Sequence, residues 1–359
     1  MRIVIIGAGY AGTGAANRIA RKIPDATVTV VNPSPDFIER VRLHQHTAGT
    51  ATAAIPLATM LPQTAALRVG EVTSIGERVV ALADGDLPFD YLFVAVGSTA
   101  RPLPGAIPIA TWAGAEEARH ALPSLPAGAT VTVIGAGLTG IETASEIAET
   151  YPDLRIRLVG EEIGPSLSAG GRKRVRKVLD RLGVEVVEGR VEEVTDGKVR
   201  VGARYHTSDL TLWASFGAVP DLVARSDLAV NEVGQALVDP MLRSVTDERV
   251  FVIGDCAAVA GQRMACATAG PQSAHAVDTL ARMLKDRAPQ PYSMGYVGQG
   301  FSLGRHDAVQ QACRSDDRPL PLSFRGPVAA YVKEQVTRYA LRAARTGKSY
   351  WLPGPQAAK

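Results

Sequence analysis

The sequence predicts an α/β fold built on two βαβ units of one design. Two observations predict it. Shifted by 128 residues, IGAGYAGTGAANRIARKIPDATVTVV (6–31) lies over IGAGLTGIETASEIAETYPDLRIRLV (134–159), and 11 of those 26 positions are identical. Each copy also turns on a glycine triplet of pattern G-x-G-x-x-G: Gly7, Gly9 and Gly12 in the first, Gly135, Gly137 and Gly140 in the second. Self-similarity on this scale marks a repeated structural unit.

Length and composition agree with that reading. The chain has 359 residues, room for two domains and a small third piece. A hydrophobic fraction of 46% excludes a disordered or fibrous chain. The net charge of +3 is too even for a nucleic-acid binder that relies on neutralising phosphates. Three cysteines, Cys256, Cys266 and Cys313, stand at no metal-ligand spacing, and the six histidines form no metal or Ser/His/Asp constellation. No metal site and no disulfide framework is expected, and a reducing cytoplasm is the expected compartment. The apolar start meets Gly7, Gly9 and Gly12 too soon for a signal peptide, and no run is long enough to span a membrane.

Taken in order, Ile3–Ile6 is a short continuous apolar run closed by glycine, as a buried parallel strand should be. The first glycine allows the tight turn into a helix, the second lets a pyrophosphate approach the backbone, and the third lets helix and strand pack closely. Free N–H groups and the helix dipole then face phosphate. Pro24-Asp25 ends the helix and the β-branched run to Val31 makes the second strand. Val131–Ile134, its turn and Pro152-Asp153 repeat the pattern. Two Rossmann-like units imply two dinucleotides, and the natural pair is a flavin and a nicotinamide.

Further segments make a resemblance specific: FDYLFVAVGS (89–98), GLTGIETASEI (137–147), LWASFGAVP (212–220) and RVFVIGDCAA (249–258). The chain resembles the two-dinucleotide flavoproteins of the pyridine nucleotide–disulfide oxidoreductase superfamily, most of all the type II NADH dehydrogenase-like members. The resemblance implies an FAD-binding domain over 1–110 and 235–288, with an NAD(P)H-binding domain over 111–234 inserted in it. A C-terminal α+β interface piece over 289–359 follows. It assigns FAD to Gly7, Gly9 and Gly12, with Asn32 where an acid normally grips the ribose and with Gly254 and Asp255 near the ribitol. NAD(H) falls to Gly135, Gly137 and Gly140. Gly140 and Glu161 favour NADH over NADPH, although Arg172, Lys173 and Arg174 form a cationic cluster nearby. Gly97 and Gly217 are the expected backbone crossings beside the two nucleotides.

Three residues are candidates for the chemistry. Glu142 stands where the first copy has Gly14, early in the second helix and, by resemblance, beside the nicotinamide. His44 lies in IERVRLHQHTAG (38–49), where disulfide reductases of the superfamily carry their cysteine pair; this segment has none, which excludes that chemistry. His44 reads equally as a proton donor or as a surface-loop histidine, and Arg42 as a phosphate contact or a surface cation. Gln272 belongs to a helix expected to begin near Pro271, over a pattern that departs from the quinone-site signature of relatives at Pro271 and Ala276.

After the Pro-rich link 286–296, residues 295–311 alternate like two short strands, and 327–345 has helical periodicity with Tyr331, Val332, Val336, Tyr339 and Ala340 on one side. Residues 327–348 carry five cations against Glu334. Two readings stand: a helix lying on an anionic membrane surface, or one packed on the FAD domain or on the partner in a homodimer. The function implied is hydride transfer from NAD(P)H to FAD and then electron transfer to a quinone or other small molecule. Its alternatives are a small redox protein or biosynthetic substrate as acceptor, or a low-turnover NAD(H)-binding sensor.

Overall fold

The structure is a computed structural model describing residues 1–354; the last five residues of the predicted C-terminal piece, 355–359, lie outside the described residues. Apolar, β-branched runs form two five-stranded parallel sheets. In the first, Arg2–Ile6 is central, flanked by Thr27–Asn32 and Ala65–Val69 on one side and by Tyr91–Val94 and Val250–Val252 on the other. In the second, Thr130–Ile134 is central, flanked by Arg155–Gly160 and Glu185–Glu188 and, opposite, by Leu210–Trp213 and Ile107–Pro108. The strand plan is the same. The repeat reaches single hydrogen bonds: Gly7 N–H donates to Val31 O at 2.8 Å, and Gly135 N–H to Val159 O at 2.8 Å.

The second domain is inserted in the first. The chain leaves the first sheet after Val94 and returns to its edge only at Val250. Outgoing and returning segments meet at Thr99 and Ala218, which pair antiparallel, Thr99 N–H donating to Ala218 O at 2.8 Å.

The helices, in chain order, are α1 (Tyr10–Lys22), α2 (Leu43–Thr47), α3 (Trp112–Ala121), α4 (Leu138–Thr150), α5 (Ala169–Arg181), α6 (Leu222–Arg225), α7 (Cys266–Met283) and α8 (Pro327–Thr346). No helix among the described residues is long and apolar enough to cross a membrane. The expected start of α7 at Pro271 is corrected: the helix begins at Cys266, with Pro271 inside it. The buried face Ala269–Gln272–Ala276–Leu280 continues helical spacing upstream of the proline. Pro271 is the sixth residue of the helix, so the bond its N–H would have made to the Ala267 carbonyl is forgone there.

The C-terminal piece is a three-stranded antiparallel sheet, Gly298–Ser302, Ala308–Cys313 and Pro319–Arg325, followed by α8. The third strand goes beyond the expected pair. Phe301, Leu303 and Val309 complete the core of the second domain, while Ala344 joins the core of the first. The piece therefore belongs to both domains. In α8 the side carrying Tyr331, Val336 and Tyr339 is exposed, and Ala329, Thr337, Ala343 and Ala344 are buried. Small residues let α8 lie close on α1, where Asn17 Nδ2 donates to Ala344 O at 3.1 Å and Arg18 to Gly347 O at 2.8 Å.

Candidate functional site

Each glycine turn is a cradle closed by the fold and open to a ligand. Gly7 and Gly135 have φ of +93° and +105°, the left-handed region glycine tolerates. A Cβ at Gly12 would overlap the Gly7 carbonyl, and one at Gly140 the Gly135 carbonyl. A Cβ at Gly9 or Gly137 would meet nothing within 4 Å. The first and third glycines thus serve the fold, and the second leaves the approach free.

Asn32 ends the second strand of its unit, with Oδ1 accepting from Ala8 N–H at 2.9 Å and Nδ2 donating to Ser34 O at 2.8 Å. It braces the first cradle from behind. The equivalent position in the second copy is Gly160, where a Cβ would run into Ala136. That crowding places the acid one residue later, at exposed Glu161. Arg172 pairs with Glu162 at 3.3 Å and Arg174 with Asp307 at 2.5 Å, so two of the three cations in that cluster are engaged.

Sequence reasoning missed the wall of the first cradle. Arg40 Nη1 donates to Ser98 O at 2.8 Å and to Ser98 Oγ at 3.2 Å. Ser98 Oγ in turn donates to Asp255 Oδ2 at 2.6 Å. Gly97, with φ +69°, and Gly254, with φ +79°, shape the two turns that carry Ser98 and Asp255. Gly217, with φ +148°, stands beside Ala218 of the interdomain crossing. Tyr10 opens α1 with its ring edge-on to Phe37, centroids 5.1 Å apart; its hydroxyl is buried with no hydrogen-bond partner among the described residues.

Two candidate residues are engaged within the protein. Arg42 is held by Glu334 through two hydrogen bonds of 2.9 and 3.0 Å, and by Glu39 at 3.4 Å. Two carboxylates satisfy it here. Gln272 accepts from Gly254 N–H at 2.6 Å and donates to Gln262 Oε1 at 2.8 Å, so its amide ties α7 to the Gly254–Asp255 turn. The side chain at the start of α7 is Cys266, whose thiol burial pushes up to about 12; it senses the charges of Asp255, Lys333, Arg40 and Glu39.

Lys333 connects that wall to a second group. Its Nζ lies 3.0 Å from Glu142 Oε1. The same oxygen accepts from Ser302 N–H at 3.0 Å and Ser302 Oγ at 3.1 Å, and Ser302 Oγ is 3.3 Å from His44 Nε2. Glu142 and His44 are buried. Burial opposes the Glu142 anion, but Lys333, His44 and the Ser302 N–H prevail and hold its pKa below the usual carboxylate range. Burial pulls His44 down to about 4, so it is a neutral imidazole. The surface-loop reading of this histidine is wrong: α2 is buried from Leu43 to Thr47. Lys333 and Ser302 had no signal in the sequence, since only the fold brings them to Glu142.

The model of the pyridine nucleotide-disulphide oxidoreductase family matches residues 1–277. An NADH dehydrogenase-like protein of Mycobacterium tuberculosis is 31% identical over 291 residues, 72% of this chain and 73% of that protein. Human ferroptosis suppressor protein 1 is 25% identical over 87% of this chain and 88% of its own. Among solved structures, NDH2 of Plasmodium falciparum in complex with NADH superposes with a TM-score of 0.81 at 14% identity, covering 96% of both chains; that likeness shows the fold.

Proposed function

The chain belongs to the pyridine nucleotide-disulphide oxidoreductase family, and from that premise we propose that it is an FAD-dependent NAD(P)H oxidoreductase whose electrons go to a quinone or similar small molecule. One observation carries the reading: two open glycine cradles on sheets of one plan, joined by a buried group that includes Glu142 and Lys333. The residues fit the two dinucleotides. Gly9 and Gly137 leave room for a pyrophosphate.

FAD would be held by Gly7, Gly9 and Gly12, with Asn32, Arg40, Ser98 and Asp255 around them. NADH would lie on Gly135, Gly137 and Gly140, with Glu161 toward the ribose and Gly217 opposite. When bound, FAD supplies two-electron exchange with a nicotinamide hydride. The protein's part is alignment and exclusion of water. Anionic Glu142, fixed by Lys333 and Ser302, orients the nicotinamide side; neutral His44 reaches it through the Ser302 hydroxyl.

Glu161 would accept from a ribose 2′-hydroxyl and repel a 2′-phosphate, so NADH is the expected donor. Anaerobic titration of the purified yellow protein with NADH and NADPH tests both cofactors, and an acceptor screen then tests the quinone. Bleaching by neither nucleotide, or faster bleaching by NADPH, contradicts the assignment. The outward Tyr331, Tyr339 and Leu322, beside Arg338 and Arg342, favour contact of this face with an anionic membrane surface, where an apolar quinone resides. Flotation with anionic and neutral vesicles tests that contact, and a homodimer through the same face would appear as doubled mass without vesicles.

A further inference from the structure

Glu142 is followed along α4 by Glu146 and Glu149, a spacing that stacks three carboxylates on one helix face. Glu149, at the exposed end, accepts from Arg305 N–H at 2.7 Å, in a hairpin turn that also places Gly304 N–H on Ser145 Oγ at 3.1 Å. Glu146, between the two, is 0% exposed. Its Oε1 accepts from Thr50 Oγ at 2.5 Å and lies 3.4 Å from Arg305 Nη1, while Oε2 has no hydrogen-bond partner among the described residues.

A carboxylate buried with a bare oxygen is costly as an anion and far less costly as a neutral acid. Burial raises the pKa of Glu146, and the charges of Glu149 and Glu142 on its own helix raise it further; Thr50 and Arg305 oppose them without prevailing. His44 of α2 and Lys333 of α8 meet this ladder at its Glu142 end. The ladder thus runs from solvent, through a buried carboxyl whose anion is disfavoured, to the Glu142–Ser302–His44 group.

We propose that Glu146 is a proton-holding relay residue between solvent at Glu149 and Arg305 and the buried Glu142–Ser302–His44 group, supplying the proton that an acceptor takes up with its electrons. The proposal rests on the functional reading above. In the overall reaction, NADH, one proton and the acceptor give NAD+ and the acceptor carrying two hydrogens. The hydride brings two electrons and one proton. The second proton leaves the Glu146 carboxyl, which regains one from solvent past Arg305. Ferricyanide makes a different demand: two ferricyanide ions take only electrons from each NADH, and a proton is released.

Glu146→Gln keeps the shape and removes the exchangeable proton; Glu146→Asp keeps a proton on a shorter arm. Infrared pH titration of the holoenzyme should show a protonated carboxyl band that outlasts those of exposed glutamates and is missing in Glu146→Gln. NADH oxidation with a water-soluble benzoquinone should fall tenfold or more in Glu146→Gln, with a larger solvent deuterium isotope effect, and recover in part in Glu146→Asp. The rate with ferricyanide should stay within twofold. Equal losses with both acceptors, an unaffected benzoquinone rate, or a band that survives Glu146→Gln overturns the relay alone. A wild-type enzyme bleached by NADH that no benzoquinone reoxidises overturns the functional reading, and the relay with it, even with the band present.

Discussion

Glu142 keeps its charge in a buried place because Lys333 and Ser302 meet it. Removing one partner of such a pair leaves the other uncompensated, so Lys333→Met should destabilise the fold by about 3–5 kcal/mol in urea denaturation. Adding Glu142→Gln to that variant should restore much of the loss. Glu142→Ala should keep the flavin yet slow its reduction by NADH about 10- to 100-fold in rapid mixing, roughly 1.4–2.7 kcal/mol of barrier. An unchanged rate would reduce Glu142 to a structural carboxylate. His44 supplies a pH dependence. Its folded pKa of about 4 lies below the ordinary 6.5, so the unfolded chain binds its proton first and stability drains as pH falls from 6.5 to 4. Near pH 5 the loss from this group should be about 2 kcal/mol, and His44→Gln should flatten the curve over that window. Glu142 was legible because the repeat set a carboxylate against Gly14 at the matching position. Lys333 was not, because an ion pair between distant segments leaves no local pattern.

Among the elements, α8 shows how packing chooses between the two sides of a helix. Its bulky residues do share a side, as the sequence suggests, but that side faces out. The inner face is chosen by closeness: α1 presents Gly14, whose Cβ would lie 3.9 Å from the Ala344 Cα, and only alanine-sized residues fit against it. Ala344→Leu should therefore overpack the contact and cost roughly 1–3 kcal/mol, whereas Tyr331→Ser should change stability by no more than about 0.5 kcal/mol. Thermal denaturation of the two variants compares them directly, and the reverse order would contradict the packing. The strand Pro319–Arg325 escaped the sequence because its prolines and exposed Leu322 and Phe324 give no buried alternation. The two central Rossmann-like strands were legible for the opposite reason: both faces are covered, so Ile3–Ile6 reads as an apolar run and Thr130–Ile134 as a β-branched one.

Across the whole molecule, the doubled plan offers two candidate nucleotide sites that one substitution each can address. Gly9 and Gly137 have ordinary φ of −75° and −72° and open space around a Cβ, so valine at either should leave the fold intact. Gly9→Val should yield protein with little flavin. Gly137→Val should stay yellow but lose bleaching by NADH, and absorbance spectra with anaerobic titration check both. Full flavin in Gly9→Val would reverse the assignment of the two halves. The repeat made this division visible in the sequence, whereas the docking of the C-terminal piece on both domains was hidden, since it depends on contacts such as Arg174–Asp307 and Asn17–Ala344. Lys333 and Glu334 show what that docking means in time. These neighbouring residues hold Glu142 of one domain and Arg42 of the other, and a ribosome releases them only after both domains are made. Each domain can fold as it emerges, but the two buried charges wait for their counter-ions until the helix that carries them arrives. The Glu142–Lys333 and Arg42–Glu334 pairs thus form only after both glycine cradles have been synthesised.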